Sequence, residues 1–210
     1  MGDLLGVYPL KDRRTGQEVE AKLWSAIEDR HVEDFSTKWK PIFDAKVEEL
    51  KRGRLLTNEL LAEHNLQDAH WQWIQKIPER RDQLSWASFA VEAENVTQGL
   101  MFTRAGPDVR AREASQRNKY IVEVDLLAIA PWNRFRLVHE PQFKGIGRLL
   151  LAAAISLSVS EEFGGRIGLH SLPQAESWYR DVCGMTDLGV DGTKMRYFEM
   201  TDAQARAFIE

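Results

Sequence analysis

A single cysteine, Cys183, stands in a chain of 210 residues. Neither an intramolecular disulfide nor a zinc site built only from thiolates is therefore open to it. No stretch reaches the ~18 consecutive apolar residues of a membrane-spanning helix; the most apolar run, Leu149 to Val159, is shorter and holds serines. A basic excess is missing too: 28 Lys and Arg face 32 Asp and Glu, giving a formal net charge of −4 and a pI near 5.8. Such a surface does not neutralise phosphates in bulk, so no nucleic-acid partner is expected. The opening residues, MGDLLGVYPLKDRR, lack the basic-then-apolar order of a secretory signal. Gly6 also stands where an N-myristoylation signal needs Ser or Thr. These absences lead us to expect a cytoplasmic protein without membrane contacts. His64 and His70 are six apart and share no helical face, so no metal is expected.

What is present suits a globular chain, with 43% hydrophobic and 29% charged residues. The texture changes near residue 83. Residues 1–83 read as an N-terminal strand followed by a helical part, packed on the same domain as residues 84–210. A short strand is expected at Gly6–Leu10. The spacing of Val19, Leu23, Ile27, Phe35 and Trp39 predicts a helix from Glu18, broken or restarted at Pro41. A second helix should run to about Arg52 with Gly53 as its stop, and a third should start at an N-cap on Thr57. A fourth is expected over Gln67–Ile77, ended by Pro78.

Beyond residue 83 the period becomes two. Ala87, Phe89, Val91 and Ala93 alternate with Trp86, Ser88, Ala90 and Glu92, predicting a strand. A turn is expected at Asn95–Gln98 and a returning strand at Gly99–Arg104. Residues 105–118 read as a polar loop. Tyr120–Ala130 (YIVEVDLLAIA) is the strongest strand in the chain, and residues 131–144 read as a basic-aromatic loop. A helix over Gly145 to about Phe163 should close at Gly164-Gly165, followed by a strand at Arg166–Ser171 and a helix at Gln174–Val182. Two last strands flank Asp191-Gly192, and Thr201-x-x-Gln204 is a capping-box pattern for a terminal helix.

The segment Gln142-Phe143-Lys144-Gly145-Ile146-Gly147-Arg148 joins the strongest strand to the most apolar helix. Glycines there let backbone N–H groups approach a ligand, and the helix start adds free N–H groups and positive potential. Together they favour a phosphate or pyrophosphate. No third glycine of a dinucleotide fingerprint follows, since residue 150 is Leu, and no Gly-Lys-Ser/Thr is present.

Gln142-x-x-Gly145-x-Gly147, after a strand ending Ala130-Pro131, resembles the acetyl-CoA-binding motif of the GNAT superfamily of N-acetyltransferases. Ala175-x-x-Trp178-Tyr179 followed by Cys183-Gly184-Met185 is similar to that family's next helix and turn, and the order of elements over 84–200 also matches. The resemblance implies an α/β (α+β) fold: a mixed, mostly antiparallel central sheet flanked by helices and splayed at its central strand. It implies acetyl-CoA as co-substrate, its pyrophosphate on the backbone of Phe143, Lys144, Gly145, Ile146 and Gly147, with Gln142 and Arg148 beside it. The pantetheine arm is implied to pair with Leu127, Ala128 and Ile129. Three departures stand out. The connection from Pro131 to Gly145 is longer than usual and carries Arg134, Arg136 and His139; residue 172 is Leu where many members have Asn; and Tyr179 to Gly184 is one residue longer than the family pattern.

Transfer of an acetyl group to an amine needs a base for the amine proton and a donor for the leaving thiolate. Glu123 and Asp125, two apart on one strand, share a face. The resemblance implies Glu123 as base, directly or through water, with Asp125 as the lesser candidate. Pairing with Arg104 or Arg110 is the structural alternative for these carboxylates. Tyr179 matches the family tyrosine that protonates the thiolate, with core packing as the alternative role. His170 is read as a structural, hydrogen-bonded histidine, and Cys183 as a buried small side chain.

The function so implied is transfer of an acetyl group from acetyl-CoA to a primary amine by direct attack in a ternary complex. The acceptor is expected to be a small molecule or peptide, and the acidic pair favours a cationic one. An inactive acyl-CoA sensor or interaction module is the alternative. A third reading is a toxin-like enzyme acetylating charged tRNA through Arg110, Arg112 and Arg117. A homodimer formed by pairing of terminal strands is compatible with either main reading.

Overall fold

Two strands open the chain where one strand and a helix are expected. The computed structural model, which describes residues 2–52 and 55–210, has β1 at Leu4–Asp12 and β2 at Glu18–Trp24. They pair antiparallel from Leu10↔Val19 to Leu4↔Trp24. The helical reading of Glu18–Trp24 fails because Ala21 and Leu23 are buried while Glu18, Glu20 and Lys22 are exposed, a period of two. Helix α1 starts only at Asp29 and spans Asp29–Asp34. It passes through a π-helical turn, Phe35–Trp39, into α2, Lys40–Lys51. Pro41 does not break the path, because it lies at the start of α2 where its missing N–H is tolerated. The stop expected at Gly53 lies outside the described residues.

Thr57 caps α3, Asn58–Glu63, its hydroxyl accepting the Leu60 N–H at 3.2 Å. Helix α4 is Trp73–Arg81 rather than Gln67–Ile77, and Pro78 sits inside it. The carbonyl that loses its helical partner there belongs to Ile74, an exposed residue, where water can replace the bond.

Strands β3 (Trp86–Ala93) and β4 (Val96–Arg104) are joined by Glu94-Asn95, at φ 53° and 58°. This two-residue turn with both residues left-handed is tighter than the expected Asn95–Gln98. Next come β5 (Val122–Ile129), the short β6 (Phe143–Lys144), helix α5 (Ile146–Ser160) and β7 (Ile167–Ser171). Strands β8 (Thr186–Val190) and β9 (Arg196–Met200) and helix α6 (Asp202–Ile209) complete the chain. Helix α5 ends at Ser160, short of the expected Phe163, at left-handed Glu162 (φ 61°), with the Phe163 amide donating to the Ser158 carbonyl at 2.7 Å; Gly164 and Gly165, at φ 68° and 83°, follow this stop rather than make it. The capping box on α6 is formed by Thr201 and Gln204.

The nine strands lie in one sheet in the order β6-β1-β2-β3-β4-β5-β7-β9-β8. Pairing is antiparallel at β1–β6, β1–β2, β2–β3, β7–β9 and β8–β9, and parallel at β5–β7. This is the mixed, mostly antiparallel sheet with flanking helices that the resemblance implies.

By contacts the chain forms two compact units that interleave in sequence. The first holds Met1–Asp82, Ser88–Leu100 and Ala128–Gly147; the second holds Gln83–Ala87, Met101–Leu127 and Arg148–Glu210. In the first, Trp39 is fully buried between Phe35 and Trp132, at ring separations of 5.7 and 6.3 Å. Its indole N–H donates to the Thr97 carbonyl at 3.0 Å. Trp73 is buried against Phe35, while Trp71 is half-buried. In the second unit, Leu150, Leu151, Ala154 and Ile155 of α5, with Ile167, Leu169, Phe198 and Met200 of β7 and β9, supply fully or almost fully buried core side chains. No described helix is long and apolar enough to cross a membrane.

Candidate active site

Strand β5 alternates. Val122, Val124, Leu126 and Ala128 are buried, whereas Glu123, Leu127 and Ile129 are half-buried and Asp125 is exposed. The two carboxylates thus share the face opposite the apolar one, as their spacing dictates. Pairing of β5 with β7 covers Val122↔Ile167, Glu123↔Gly168 and Val124↔Leu169. Among the described residues the register ends there, while β5 runs on and His170 and Ser171 pair with β9.

A chain of ionisable groups starts at Glu123. Its Oε1 lies 3.8 Å from His170 Nδ1, and His170 Nε2 lies 2.7 Å from Asp191 Oδ2. Asp191 also accepts from Arg112 Nη1 at 2.6 Å, from the Thr193 amide at 2.8 Å and from the Thr193 hydroxyl at 2.6 Å. Hydrogen bonding, first that of His170 and then that of Thr193 and Arg112, holds the Asp191 carboxyl far below the usual range. A carboxylate so held only accepts, so His170 Nε2 carries a proton toward it. The Glu123 pKa is raised, chiefly by burial and further by the like charge of Asp125, with His170 opposing.

Tyr197 completes this wall. It is buried, its ring 4.7 Å from that of His170, with the Arg112 guanidinium 3.9 Å from its centre. Burial pushes its hydroxyl pKa up, so it stays a proton-bearing phenol. Gly168 makes room for it: a Cβ there would overlap the Tyr197 hydroxyl and sit 3.0 Å from Cζ. Buried Glu199 fixes the adjoining loop, accepting from the Arg112 amide at 2.5 Å, the Glu113 amide at 3.0 Å and Gln116 Nε2 at 3.0 Å. Arg104, offered by the sequence as a partner for Glu123, instead pairs with Asp108. Beside these groups lies a cavity of about 670 Å³, with Glu123, Tyr197 and residues of the 104–118 segment in its wall.

Tyr179 is buried at 5.0 Å from the Trp178 ring and 6.0 Å from that of Phe198. The expected helix at Gln174–Val182 is instead a 3₁₀ turn, Pro173–Ala175, followed by a π-helical turn, Trp178–Val182. The Cys183 amide bonds the Trp178 carbonyl at 3.0 Å, an i→i+5 step that takes up one extra residue. The additional residue between Tyr179 and Gly184 is thereby accommodated next to the tyrosine. Burial pushes the Cys183 thiol up to about 12, which suits an inert core side chain rather than a nucleophile.

The glycine turn belongs to the first unit up to Gly147. Gly145, at φ 110°, has a backbone that favours glycine, and a Cβ there would meet Leu10 at 3.3 Å. Lys144 and Gly145 are exposed, and α5 starts at Ile146, so its first amides have no carbonyl partner within the helix. The Phe143 amide is engaged, donating to Asn133 Oδ1 at 2.8 Å within the β6 pairing. The Gln142 amide side chain donates to Glu94 at 3.1 Å. In the second unit, Arg148 lies over the Phe208 ring at 4.3 Å and donates to the Phe208 carbonyl.

The long connection after Pro131 is not a solvated loop throughout. Arg134 and Asp68 form a buried two-pronged pair at 2.6 and 2.7 Å, and Arg134 Nε donates to the Ile129 carbonyl at 2.8 Å. Gln98 Oε1 accepts from Trp132 Nε1 at 2.8 Å and Asn133 Nδ2 at 2.9 Å. Arg134 is thus a structural cation at the end of β5. Arg136 and His139 are exposed. The sequence reading also left out Asp191, taken only as a turn residue, and Tyr197. The alternation of His170, Tyr197 and Glu199 about β7 and β9 is the signal that locates this wall, and it is readable only once the strand pairing is known.

No protein-family sequence model matches the chain, and no match is found by sequence among characterised proteins. Solved structures do match. One is a protein named arylalkylamine N-acetyltransferase 7 from the yellow fever mosquito Aedes aegypti, at TM-score 0.53 and 13% identity, covering 96% of this chain and 96% of that one. Another is FeeM, an N-acyl amino acid synthase from uncultured soil microbes, at TM-score 0.51 and 10% identity, covering 89% and 93%. A third, an uncharacterised protein from Bacillus halodurans, has TM-score 0.53 and 10% identity, covering 98% and 95%. With the sheet order and the glycine turn described above, this likeness establishes that the chain has the fold of the GNAT N-acetyltransferases.

Proposed function

We propose that the protein transfers an acetyl group from acetyl-CoA to a primary amine. The observation that carries this reading is Glu123, a half-buried carboxylate on the central strand whose Oε1 lies 3.8 Å from His170 Nδ1 in the wall of a cavity, in a fold used by acyltransferases. The names of the two transferases above, one an arylalkylamine N-acetyltransferase and one an N-acyl amino acid synthase, support acyl transfer to nitrogen.

Acetyl-CoA supplies the thioester: the amine nitrogen bonds to its carbonyl carbon, the C–S bond breaks, and sulfur leaves with the electron pair and takes a proton. The residues present fit such a ligand, because exposed Gly145 would be strained and crowded by any side chain and the first α5 amides have no partner within their helix. In this reading the pyrophosphate lies on the amides of Gly145, Ile146 and Gly147, with Lys144 adding charge. Phe143 and Gln142 position the turn through the bonds described. Leu127, with Ala128 and Ile129 after it on β5, offers backbone groups to the pantetheine amides.

Glu123 takes the proton of the attacking ammonium, directly or through one water. A base of raised pKa is better matched to an amine than an ordinary carboxylate. His170, oriented by Asp191, positions Glu123 and shares its charge. Asp125 keeps the local potential negative. Tyr179 is the donor to the departing sulfur.

The test is thiol release from acetyl-CoA over a panel of amines, with mass detection of the acetylated product. Product formation that drops about 10²–10⁴-fold in Glu123→Gln, with acetyl-CoA binding retained, is the expected result. Acetyl-CoA binding without turnover on any amine refutes catalysis.

A further inference from the structure

The cavity beside Glu123 is lined by four arginines, Arg104, Arg110, Arg112 and Arg117, against two carboxylates, Asp108 and Glu123. Two of the cations are already matched. Arg104 pairs with Asp108, and Arg112 pairs with Asp191. The other two are not: among the described residues, no carboxylate lies within ion-pair distance of Arg110 or Arg117. Arg110 stacks on Tyr120, its guanidinium carbon 3.5 Å from the ring centre. That contact fixes the plane of the guanidinium and leaves its charge unmatched. Arg117 is exposed at the end of the 114–116 turn.

This segment is held in place. Buried Glu199 anchors the amides of Arg112 and Glu113 and the Gln116 side chain. The Asn118 amide bonds the Ala111 carbonyl at 2.9 Å, and the Ala111 amide bonds the Lys119 carbonyl at 2.9 Å. The guanidinium groups are thus carried on a fixed backbone in a chain whose net charge is −4. A local positive surplus held this way on an acidic protein, in a cavity of small-molecule size, asks for an anionic ligand.

We infer that the acceptor amine carries its own acidic group, a carboxylate or a phosphate, which Arg110 and Arg117 bind while the amine is presented to Glu123. This rests on the acyl-transfer reading and reverses the cationic acceptor that the Glu123/Asp125 pair alone suggests. The guanidinium fork matches both oxyacids, so the shared chemistry is an amine and an oxyanion in one small molecule.

The experiment compares matched amines that differ in the acid: phenylalanine with phenethylamine, and O-phosphoethanolamine with ethanolamine. Binding of each to the full chain is measured by calorimetry without CoA, and acetylation separately by thiol release. The acid-bearing member of at least one pair is expected to bind about 10-fold more tightly or better, the value of one charge-assisted contact. Preference in the first pair selects carboxylate, and in the second phosphate. Arg117→Gln, which removes no ion pair within the protein, should erase most of that preference, and Arg117→Lys should restore part of it. Arg110→Gln is the second variant.

Equal or tighter binding of the members without an acid overturns the inference. So does preference that survives in both Gln variants, or acetylation of aminoacyl-tRNA with no binding of the small acids. The two readings fail separately. Acid-selective binding with no thiol release refutes acyl transfer and leaves the anion site standing. Thiol release with no acid preference does the reverse.

Discussion

Removing one half of the Arg134–Asp68 pair should cost more stability than any other single polar change in the first unit. Their side chains are 5% and 4% exposed, and two hydrogen bonds of 2.6 and 2.7 Å join them. Asp68→Asn keeps the volume and leaves the guanidinium charge buried without its carboxylate. Breaking such a pair costs about 3–5 kcal/mol. For a chain of this length that is a fall in Tm of about 6–20 °C. Replacing both partners, Arg134→Met with Asp68→Leu, removes the stranded charge and should recover most of the loss, because a buried pair contributes little net stability against apolar replacements. Urea unfolding of the two single variants and the double variant gives the coupling directly. A loss under about 1 kcal/mol in Asp68→Asn would refute the assignment of Arg134 as a buried structural cation. The Arg134 Nε bond to the Ile129 carbonyl adds a functional consequence. Arg134→Met frees the end of β5, so the double variant should bind acetyl-CoA less tightly even where its stability is restored.

Four further outcomes follow from the second unit and the glycine turn. For Glu123, the raised folded pKa means that protonation favours the native state: its contribution is fully present below the unfolded value and is lost as pH rises through the folded one. Glu123→Gln should therefore raise stability at pH 7 by up to about 1 kcal/mol, read as Tm. The same variant should lose the acid limb of the kcat/KM profile, which in the wild type lies above the ordinary carboxylate range. Gly168→Ala should cost about 1–3 kcal/mol through displacement of Tyr197, measured by denaturant unfolding. Gly145→Ala, strained at φ 110° and crowded by Leu10, should cost about 1–3 kcal/mol and weaken acetyl-CoA binding, whereas Gly192→Ala, with open space around its Cβ, should do neither.

The strands of the sheet's interior are legible because their patterning and their burial agree: the Val122–Ile129 alternation fixes both the strand and the face that carries Glu123 and Asp125. Glu18–Trp24 misleads because Val19, Leu23 and Ile27 fit a four-residue spacing as well as Ala21 and Leu23 fit a two-residue one, and only pairing with β1 decides between them. Pro78 misleads because one lost backbone bond at a wet helix face is tolerable. In the candidate site, Glu123 and the glycine turn are visible as local patterns. The His170–Asp191–Arg112 chain is not, because it joins residues far apart in sequence whose neighbourhood is created by β7, β9 and the turn between β8 and β9. The destination of Arg134 is hidden for the same reason, its partner Asp68 lying 66 residues away.

Calorimetric titration of acetyl-CoA into the purified protein tests the central claim most directly, with CoA lacking the 3′-phosphate and the Gly147→Glu variant alongside. The account predicts one site with a Kd on the order of 1–100 μM, weakened at least about 10-fold by a carboxylate placed at the start of α5. Absence of binding at about 1 mM acetyl-CoA, in protein shown to be folded, would contradict it.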